Sequence, residues 1–385
     1  MAVRLLAYEV ADLCLGKPPL PSLSSSATVA DAIAALKASA EDCISVWSCD
    51  HSSRRNLDCV CVGKICMVDV ICYLCREENL SAPGSALKSP VSVLLPSVKG
   101  LLTRSHRSYP PRCPKPRCPY KSSTTSISKR RQLQKSSASI SPTIHNGQEF
   151  CWLTQEDIIR FLLSSISLFS PIPMLSVNAL GIISNDFLSV EYYCPASSAI
   201  GAIARSLVDQ TSVAVVDNEG TLIGEISPFT LACCDETAAA AITTLSAGDL
   251  MAYIDCCGPP EDLVRVVEAR LKERNLDGML KEFMISPFSV DPSTSSSSDE
   301  ELPSPTTALS RSRRYSRSSS QSARMMRRAE AIVCHPGSSL VAVMIQAITH
   351  RVNYIWVIED DCSIVGIVTF AKMLEVFREK LAAMI

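Results

Sequence analysis

The residues that could do chemistry stand close to the starts of predicted helices. Thr154 and Asp157 are the best example, since the residues after them have apolar side chains at helical spacing. A hydroxyl followed three residues later by an acid is typical of a helix start, where Thr caps the first turn and the acid suits the helix dipole. The free N–H groups of such a first turn also attract phosphate. The pair therefore predicts a helix start that could also bind an anion.

The cysteines are a second candidate group. Among eighteen cysteines, Cys59/Cys61 and Cys72/Cys75 have spacings that metal or redox sites use. The first pair should flank one strand, no histidine pair completes a zinc pattern, and Cys72 falls several residues into a helix. Disulfide frameworks are typical of small secreted chains, whereas this chain has 385 residues. We therefore expect reduced, buried cysteines and no metal site.

Three further features are weaker candidates. His350 and Arg351 end a helical pattern before a strand and could contact phosphate, although cations at a helix end also suit its dipole. Ser297 and Ser298 each have an acid three residues on, which is an acid-directed phosphorylation pattern. The segment 311–328 is rich in Ser and Arg and could bind nucleic acid or anionic lipid, although such runs are usually solvated linkers.

Common catalytic signatures are absent from the sequence. It has no P-loop, no G-x-G-x-x-G, no H-E-x-x-H and no G-x-S-x-G. We therefore expect no enzymatic activity. Glu9 and Asp12 break the apolar patch of the first residues, so we expect no secretory signal there. The longest apolar run, 158–175, is broken by Arg160, Pro171 and Pro173. We expect an intracellular protein, in the cytoplasm or the nucleus, that is neither secreted nor inserted in a membrane.

A repeated unit of helix, strand, strand and helix must position these residues. In 338–381, apolar side chains at helical spacing precede two short apolar runs joined by a polar turn, and a closing helix follows. The same order occurs in 27–74 and 197–234. The first copy is longer because it carries the polar insert 51–58, at a hairpin tip where insertions are tolerated.

A further copy, second in chain order, shows only its back half. Residues 145–163 contain a turn, a strand and a helix, but the preceding segment has no helical period and no strand pattern. Residues 100–140 carry ten Lys and Arg and no acid, with many Pro and Ser, which predicts disorder. This block is either a genuine insert or the product of a shifted reading frame or mis-splicing.

The patterns predict six segments. The four copies cover 1–80, 90–170, 175–235 and 329–385, and the front half of the second copy, 100–145, is degenerate or disordered. Between copies 3 and 4, residues 236–290 are predicted as a helical insertion and 291–328 as a Ser/Arg-rich disordered linker. The predicted fold class is α/β (α+β).

The unit resembles the CBS (cystathionine-β-synthase) motif. The residues that carry the resemblance are V-x-D-A-I-x-x-L at 29–36, V-V-D-x-x-G at 215–220 and G-I-V-T at 366–369. The order and the insertions resemble plant CBS-domain-only proteins with four motifs. The resemblance implies β-α-β-β-α motifs, paired about pseudo-twofold axes into two modules, copies 1 and 2 in one and copies 3 and 4 in the other. It also implies clefts that bind AMP, ATP or S-adenosylmethionine.

The ligand signature of that family is a Ser or Thr at the end of the last strand, with an Asp three residues on that accepts ribose hydroxyls. Copy 2 has both, as Thr154 and Asp157, whereas copy 1 keeps the acid, Asp69, without the hydroxyl. By this resemblance all three are candidate ligand residues. Capping of a helix start remains the alternative for each of them.

Copies 3 and 4 keep the hydroxyl of the signature, as Ser227 and Thr369, and lose the acid. In copy 4, Lys372 stands in the acid's place, and a Lys side chain cannot accept a hydrogen bond from ribose. Ser227 and Thr369 are candidate ligand residues by resemblance, although each also has a reason to be there as a cap.

Two functions fit this sequence. The first is a regulatory protein whose CBS modules bind an adenosine-containing ligand, regulate a partner protein, or both. The second is a structural adaptor whose CBS pairs only mediate dimerisation or partner binding. We expect homodimers or intramolecular pairing of motifs and an unidentified protein partner, and we expect neither nucleic acid nor a membrane as partner.

Overall fold

The computed structural model describes residues 8–18, 20–39, 41–48, 60–95, 112–114, 150–255, 260–283 and 330–383. The strands are β1 (Ser22–Ser24), β2 (Cys43–Ser48), β3 (Val60–Cys66), β4 (Arg112–Pro114), β5 (Phe150–Trp152), β6 (Leu188–Glu191), β7 (Val213–Val216), β8 (Leu222–Ile226), β9 (Val333–Cys334), β10 (Tyr354–Ile358) and β11 (Ile364–Thr369).

The α-helices are α1 (Val29–Ala38), α2 (Met67–Leu74), α3 (Glu77–Leu80), α4 (Pro83–Ala86), α5 (Gln155–Ser164), α6 (Ile200–Asp209), α7 (Pro228–Ala232), α8 (Ala238–Thr244), α9 (Ala247–Asp255), α10 (Glu261–Glu273), α11 (Asp277–Phe283), α12 (Leu340–His350) and α13 (Phe370–Ala382). Short 3-10 helices lie at Val10–Cys14, Val91–Leu94, Ile166–Phe169, Ile172–Met174 and Ala196–Ala199. Every helix within the described ranges is too short or too polar to cross a bilayer.

Copies 1, 3 and 4 share one sheet topology. In each, a short first strand pairs in parallel with the central strand, which pairs antiparallel with the third, in the orders β1-β2-β3, β6-β7-β8 and β9-β10-β11. One helix lies between the first two strands and another follows the third. This is the β-α-β-β-α order, and the predicted fold class is confirmed.

Capping and turn residues fix where these elements begin. The Thr28 hydroxyl accepts the Asp31 N–H at 3.1 Å, and Asp31 accepts the Thr28 N–H at 2.9 Å, so the pair caps α1. The hydrogen bonds that the Asp31 carboxylate accepts from the N–H and the hydroxyl of Thr28 lower the pKa of Asp31. In the copy 3 hairpin, Asp217 accepts the Thr221 N–H at 2.8 Å, and Gly220 adopts the left-handed backbone (φ 83) that the turn needs.

Copy 2 departs from this topology in the described residues. β4 pairs antiparallel with β5, which places Cys113 opposite Cys151. The prediction of no strand within 100–145 is therefore wrong for Arg112–Pro114. Three residues that end in a proline carry no strand pattern, and pairing with β5 is what makes them a strand. The rest of 100–145 lies outside the described residues, as does 291–328.

Two hydrophobic cores combine copies from different modules. One contains side chains of copies 1 and 3 and of the helical segment, among them Ile71 of α2, Ile203 of α6 and Leu271 of α10. The other combines copies 2 and 4 and also contains Ala214 of β7 in copy 3. In it the rings of Phe169 and Phe377 meet edge to face with centroids 4.9 Å apart. α2 accordingly contacts α6, α7 and α8. Copies that were expected to lie in different modules are therefore packed together in shared cores.

The segment predicted as a helical insertion contains α8 to α11. α8 is buried along its length, and its last carbonyl groups are capped by guanidinium groups: Arg270 donates to Thr244 O at 2.8 Å and Arg274 to Thr243 O at 2.7 Å. α11 lies against α4. The segment is thus attached both to the shared core and to the region that follows copy 1.

Candidate ligand clefts

A cavity of about 240 Å³ lies between copies 3 and 4. Ser184 and Ile367 exchange two backbone hydrogen bonds of 2.9 Å, which hold the segment before β6 against β11. Gly366 permits this approach, because a Cβ there would lie 2.5 Å from the Ser184 carbonyl oxygen. We call this cavity the Thr369 cleft; its lining includes Asp186, Phe187, Arg205 and Thr211 of copy 3 and Ile367, Thr369 and Lys372 of copy 4.

The cations at the Thr369 cleft are held in ion pairs. Arg205 Nη2 lies 3.0 Å from Asp186 Oδ2, and its Nε lies 3.3 Å from Asp209 Oδ2. Lys372 Nζ lies 3.0 Å from Glu375 Oε2. These side chains are partly exposed, so water screens the pairs and a ligand can compete with them. Phe187, Leu188 and Ile367 add apolar surface, so the cleft has a mixed polar and apolar lining.

In copy 2, the predicted ligand pair is already engaged within the chain. Asp157 Oδ2 accepts the N–H and the hydroxyl of Thr154, both at 2.7 Å. The Thr154 hydroxyl accepts the Asp157 N–H at 3.2 Å, which completes the expected capping box. The same oxygen accepts Lys17 Nζ at 2.5 Å, and Lys17 also donates to the Trp152 carbonyl at 2.9 Å. A ribose hydroxyl would have to compete with Lys17 for this oxygen.

In copy 1, the predicted acid Asp69 is held at the start of α2. Its Oδ2 accepts the Cys66 N–H at 2.7 Å; burial raises the pKa of Asp69, and hydrogen bonds from Cys66 and the charge of Lys64 oppose the rise. Cys43 lies opposite Cys66 in the β2–β3 pair. Burial raises the pKa of Cys43 to about 11 and that of Cys66 well above its usual range, so both thiols stay protonated near neutral pH.

The predicted hydroxyls of copies 3 and 4 both cap helices but differ in exposure. Ser227 accepts the Phe229 N–H at 3.2 Å, and Thr369 accepts the Lys372 N–H at 3.3 Å, so the capping interpretation holds for both. Ser227 is 2% exposed. Thr369 is partly exposed and faces the cleft named after it.

A buried carboxylate connects the sheets of copies 3 and 4. Glu225 of β8 is 2% exposed, and its two oxygens accept the Tyr354 hydroxyl and the Trp356 N–H, both at 2.8 Å. Sequence reasoning missed Glu225, although an acid inside the apolar run LIGEI was a visible signal. It also missed Lys17, for which no signal existed, since 140 positions separate it from Asp157.

His350 and Arg351 are not among the residues that line the Thr369 cleft. His350 ends α12, and Arg351 caps it with left-handed backbone (φ 55); both are exposed, so the helix-end interpretation holds. Burial raises the pKa of Cys72 to about 12. Across the described ranges, no group of three or more His, Cys, Asp or Glu is placed to hold a metal ion. Ser297 and Ser298 lie outside those ranges.

No protein-family model matches the chain. It is 48% identical over 404 residues to the CBS domain-containing protein CBSX5 of Arabidopsis thaliana, with 98% of each chain covered. It is 26% identical over 442 residues to CBSX6 of the same plant, covering 100% of this chain and 96% of that one. The solved structure of protein MJ1225 from Methanocaldococcus jannaschii, 13% identical, matches 96% of this chain and all of its own with a TM-score of 0.51, which shows the fold. With its repeated β-α-β-β-α units and this full-length relative, the chain belongs to the CBS domain-containing proteins.

Proposed function

We propose that the protein is a non-catalytic regulator that binds an adenosine-containing ligand, such as AMP, ATP or S-adenosylmethionine, in the Thr369 cleft. Ligand binding in the cleft regulates a protein partner inside the cell. The observation that carries the proposal is the cleft itself, which copies 3 and 4 line together, so that a ligand would bridge paired motifs. Membership of the CBS family supports sensing over catalysis.

The lining supplies the groups that such a ligand needs. Phe187 and Ile367 offer apolar surface for the base, and Arg205 and Lys372 offer cations for phosphate. The family's ribose-binding acid is absent here, since Lys372 takes its place. We infer that the acids paired with Arg205 accept the ribose hydroxyls instead.

Isothermal titration calorimetry of the full chain with AMP, ATP and S-adenosylmethionine tests this function. Lys372→Glu should weaken the binding of AMP and ATP about tenfold, which is about 1.4 kcal/mol of binding free energy, because it places an acid beside the phosphate. Lys281→Glu makes the same charge change at an exposed position of α11 and should bind like wild type. Absence of heat with all three ligands would rule the proposal out, and an equal loss in both variants would assign the effect to net charge.

A structural adaptor is the second candidate function. The observation that favours it comes from copies 1 and 2, where both signature acids already accept hydrogen bonds from within the chain. Asp157 accepts one from Lys17, and Asp69 accepts one from the Cys66 N–H. An adaptor should give no nucleotide heat in wild type or in Asp157→Ala, and should form a stable dimer in sedimentation velocity experiments. Nucleotide heat that Asp157→Ala abolishes would instead move the ligand site to the first module.

A further inference from the structure

Glu225 occupies an unusual place for a charged residue, the interface between the sheets of copies 3 and 4. Besides its two aromatic donors, the network reaches the signature hydroxyl, since the Tyr354 hydroxyl lies 3.5 Å from Ser227 Oγ. A buried carboxylate that is fully hydrogen-bonded is tolerated, whereas an unsatisfied one is not. The hydrogen bonds from Tyr354 and Trp356 therefore help to stabilise Glu225 in the protein interior.

Strand register shows which residues of copies 3 and 4 correspond. Val215 pairs with Gly224 in copy 3, and Val357 pairs with Gly366 in copy 4. Counting from these pairs gives four correspondences: Glu225 with Ile367, Ser227 with Thr369, Ser212 with Tyr354, and Ala214 with Trp356.

The same positions are filled very differently on the two sides of the module. Beside Thr369, the corresponding side chains are Ile367, which lines the cavity, and the small Ser212 and Ala214. Beside Ser227, the positions hold Glu225 and two aromatic rings, Tyr354 at 4% and Trp356 at 0% exposure. We propose that Glu225, Tyr354 and Trp356 form an internal plug that closes the cleft at Ser227, so that this module takes one ligand, at Thr369. The count of ligands rests on the proposed function, but the plug does not.

The plug also contacts a residue that lines the Thr369 cleft. The Trp356 ring meets Phe187 edge to face with centroids 5.9 Å apart, and Phe187 lines the Thr369 cleft. Because Glu225 accepts the Trp356 N–H, it fixes the ring on which Phe187 packs. Glu225 is thus a positioning residue for the wall of the open cleft, although it does not itself line that cleft.

Cysteine accessibility tests the plug without any nucleotide. Ser227→Cys and Thr369→Cys full-length variants are treated with N-ethylmaleimide, and alkylation of each new thiol is followed by peptide mass spectrometry. Thr369→Cys should react at least about tenfold faster, because thiol reactivity needs access to solvent. Native Cys334, which is 5% exposed, should stay unreactive and so reports that the protein is folded. Equal rates at positions 227 and 369 in folded protein would overturn the plug.

A second comparison tests the part played by Glu225. Combined with Ser227→Cys, Glu225→Ala removes the acceptor of both aromatic donors and should raise alkylation at position 227 about fivefold or more. Glu225→Gln keeps an acceptor for Trp356 and can donate to the Tyr354 oxygen, so it should leave the rate unchanged. A rate in Glu225→Ala equal to that of Ser227→Cys alone would assign closure to the rings and remove Glu225 from the proposal.

AMP protection then links the plug to ligand binding. AMP at saturating concentration should slow alkylation of Thr369→Cys and leave Ser227→Cys at its basal rate. Protection at position 227 would contradict a single-ligand module. If calorimetry gives no AMP heat, the proposed function fails, while the alkylation rates without AMP still decide whether the plug exists.

Discussion

At the scale of residues, burial sets the properties of Asp69. Burial raises the pKa of its carboxyl in the folded protein, so protonation stabilises the fold at low pH and this contribution is lost as pH rises through the folded pKa. Asp69→Asn, which can still accept the Cys66 N–H, removes that loss. The thermal midpoint of the variant should therefore gain on wild type as pH rises above about 4, the usual value for an Asp carboxyl, until the folded carboxyl has ionised. A difference that stays constant or narrows with pH would contradict this.

The Lys17–Asp157 ion pair should contribute measurable coupling. Its side chains are 23% and 20% exposed, so water screens them less than a surface pair. A double-mutant cycle of Lys17→Met and Asp157→Asn should give a coupling free energy of about 1 kcal/mol in denaturant unfolding. The control is the cycle of Arg205 and Asp186, which are 54% and 75% exposed and should give almost none. Equal couplings in the two cycles would mean that burial of the first pair has no effect.

Sequence patterns predicted the helix-start residues better than their partners. Thr154, Ser227 and Thr369 could be placed because capping depends on neighbours within three residues. The partners of Asp157 and Glu225 could not, since Lys17 and Trp356 lie 140 and 131 positions away. Their contacts depend on how whole copies pack, which no local pattern encodes.

At the scale of elements, two glycines in helices should respond in opposite ways to alanine. Gly278 lies in the first turn of α11, which packs against α4. A Cβ at this position would lie 2.5 Å from the Ser81 carbonyl oxygen, so Gly278→Ala must separate the helices and destabilise the protein. Gly201 of α6 has nothing within 4 Å of a Cβ, so Gly201→Ala should stabilise it by about 0.5–1 kcal/mol. Denaturant midpoints compare the two, and similar shifts would refute the contact at Gly278.

The elements themselves were mostly predictable, and the exception is instructive. The helix of 340–350 and the hairpin of 354–369 follow from apolar spacing and a polar turn. β4 does not, because Arg112–Pro114 has neither alternation nor length, and only its partner β5 makes it a strand. Short edge strands of this kind are set by tertiary pairing.

At the scale of the whole molecule, the shared cores should make distant copies respond together. Ile71→Ala leaves a cavity in the core of copies 1 and 3, costs about 2–5 kcal/mol, and should increase hydrogen exchange in α6 as well as in α2. Ile159→Ala is the matched change in the other core and should affect α12 while sparing α6. Exchange that rises only in the mutated copy would refute the sharing.

The pairing of motifs into modules was expected from the resemblance, but the mixing of modules within each core was not. The apolar stripe on α2 looks the same whether it packs on its own copy or on α6. Only the three-dimensional arrangement reveals that the core of copy 1 continues into copy 3.

This mixing has a consequence for any attempt to divide the chain. A break after copy 2 would leave each half with part of both cores, so neither half should work as a sensor by itself. Each half would carry the surface that the other lacks, and the two should reassemble when mixed. The protein is therefore suited to fragment complementation, in which two inactive fragments regain activity when they bind each other.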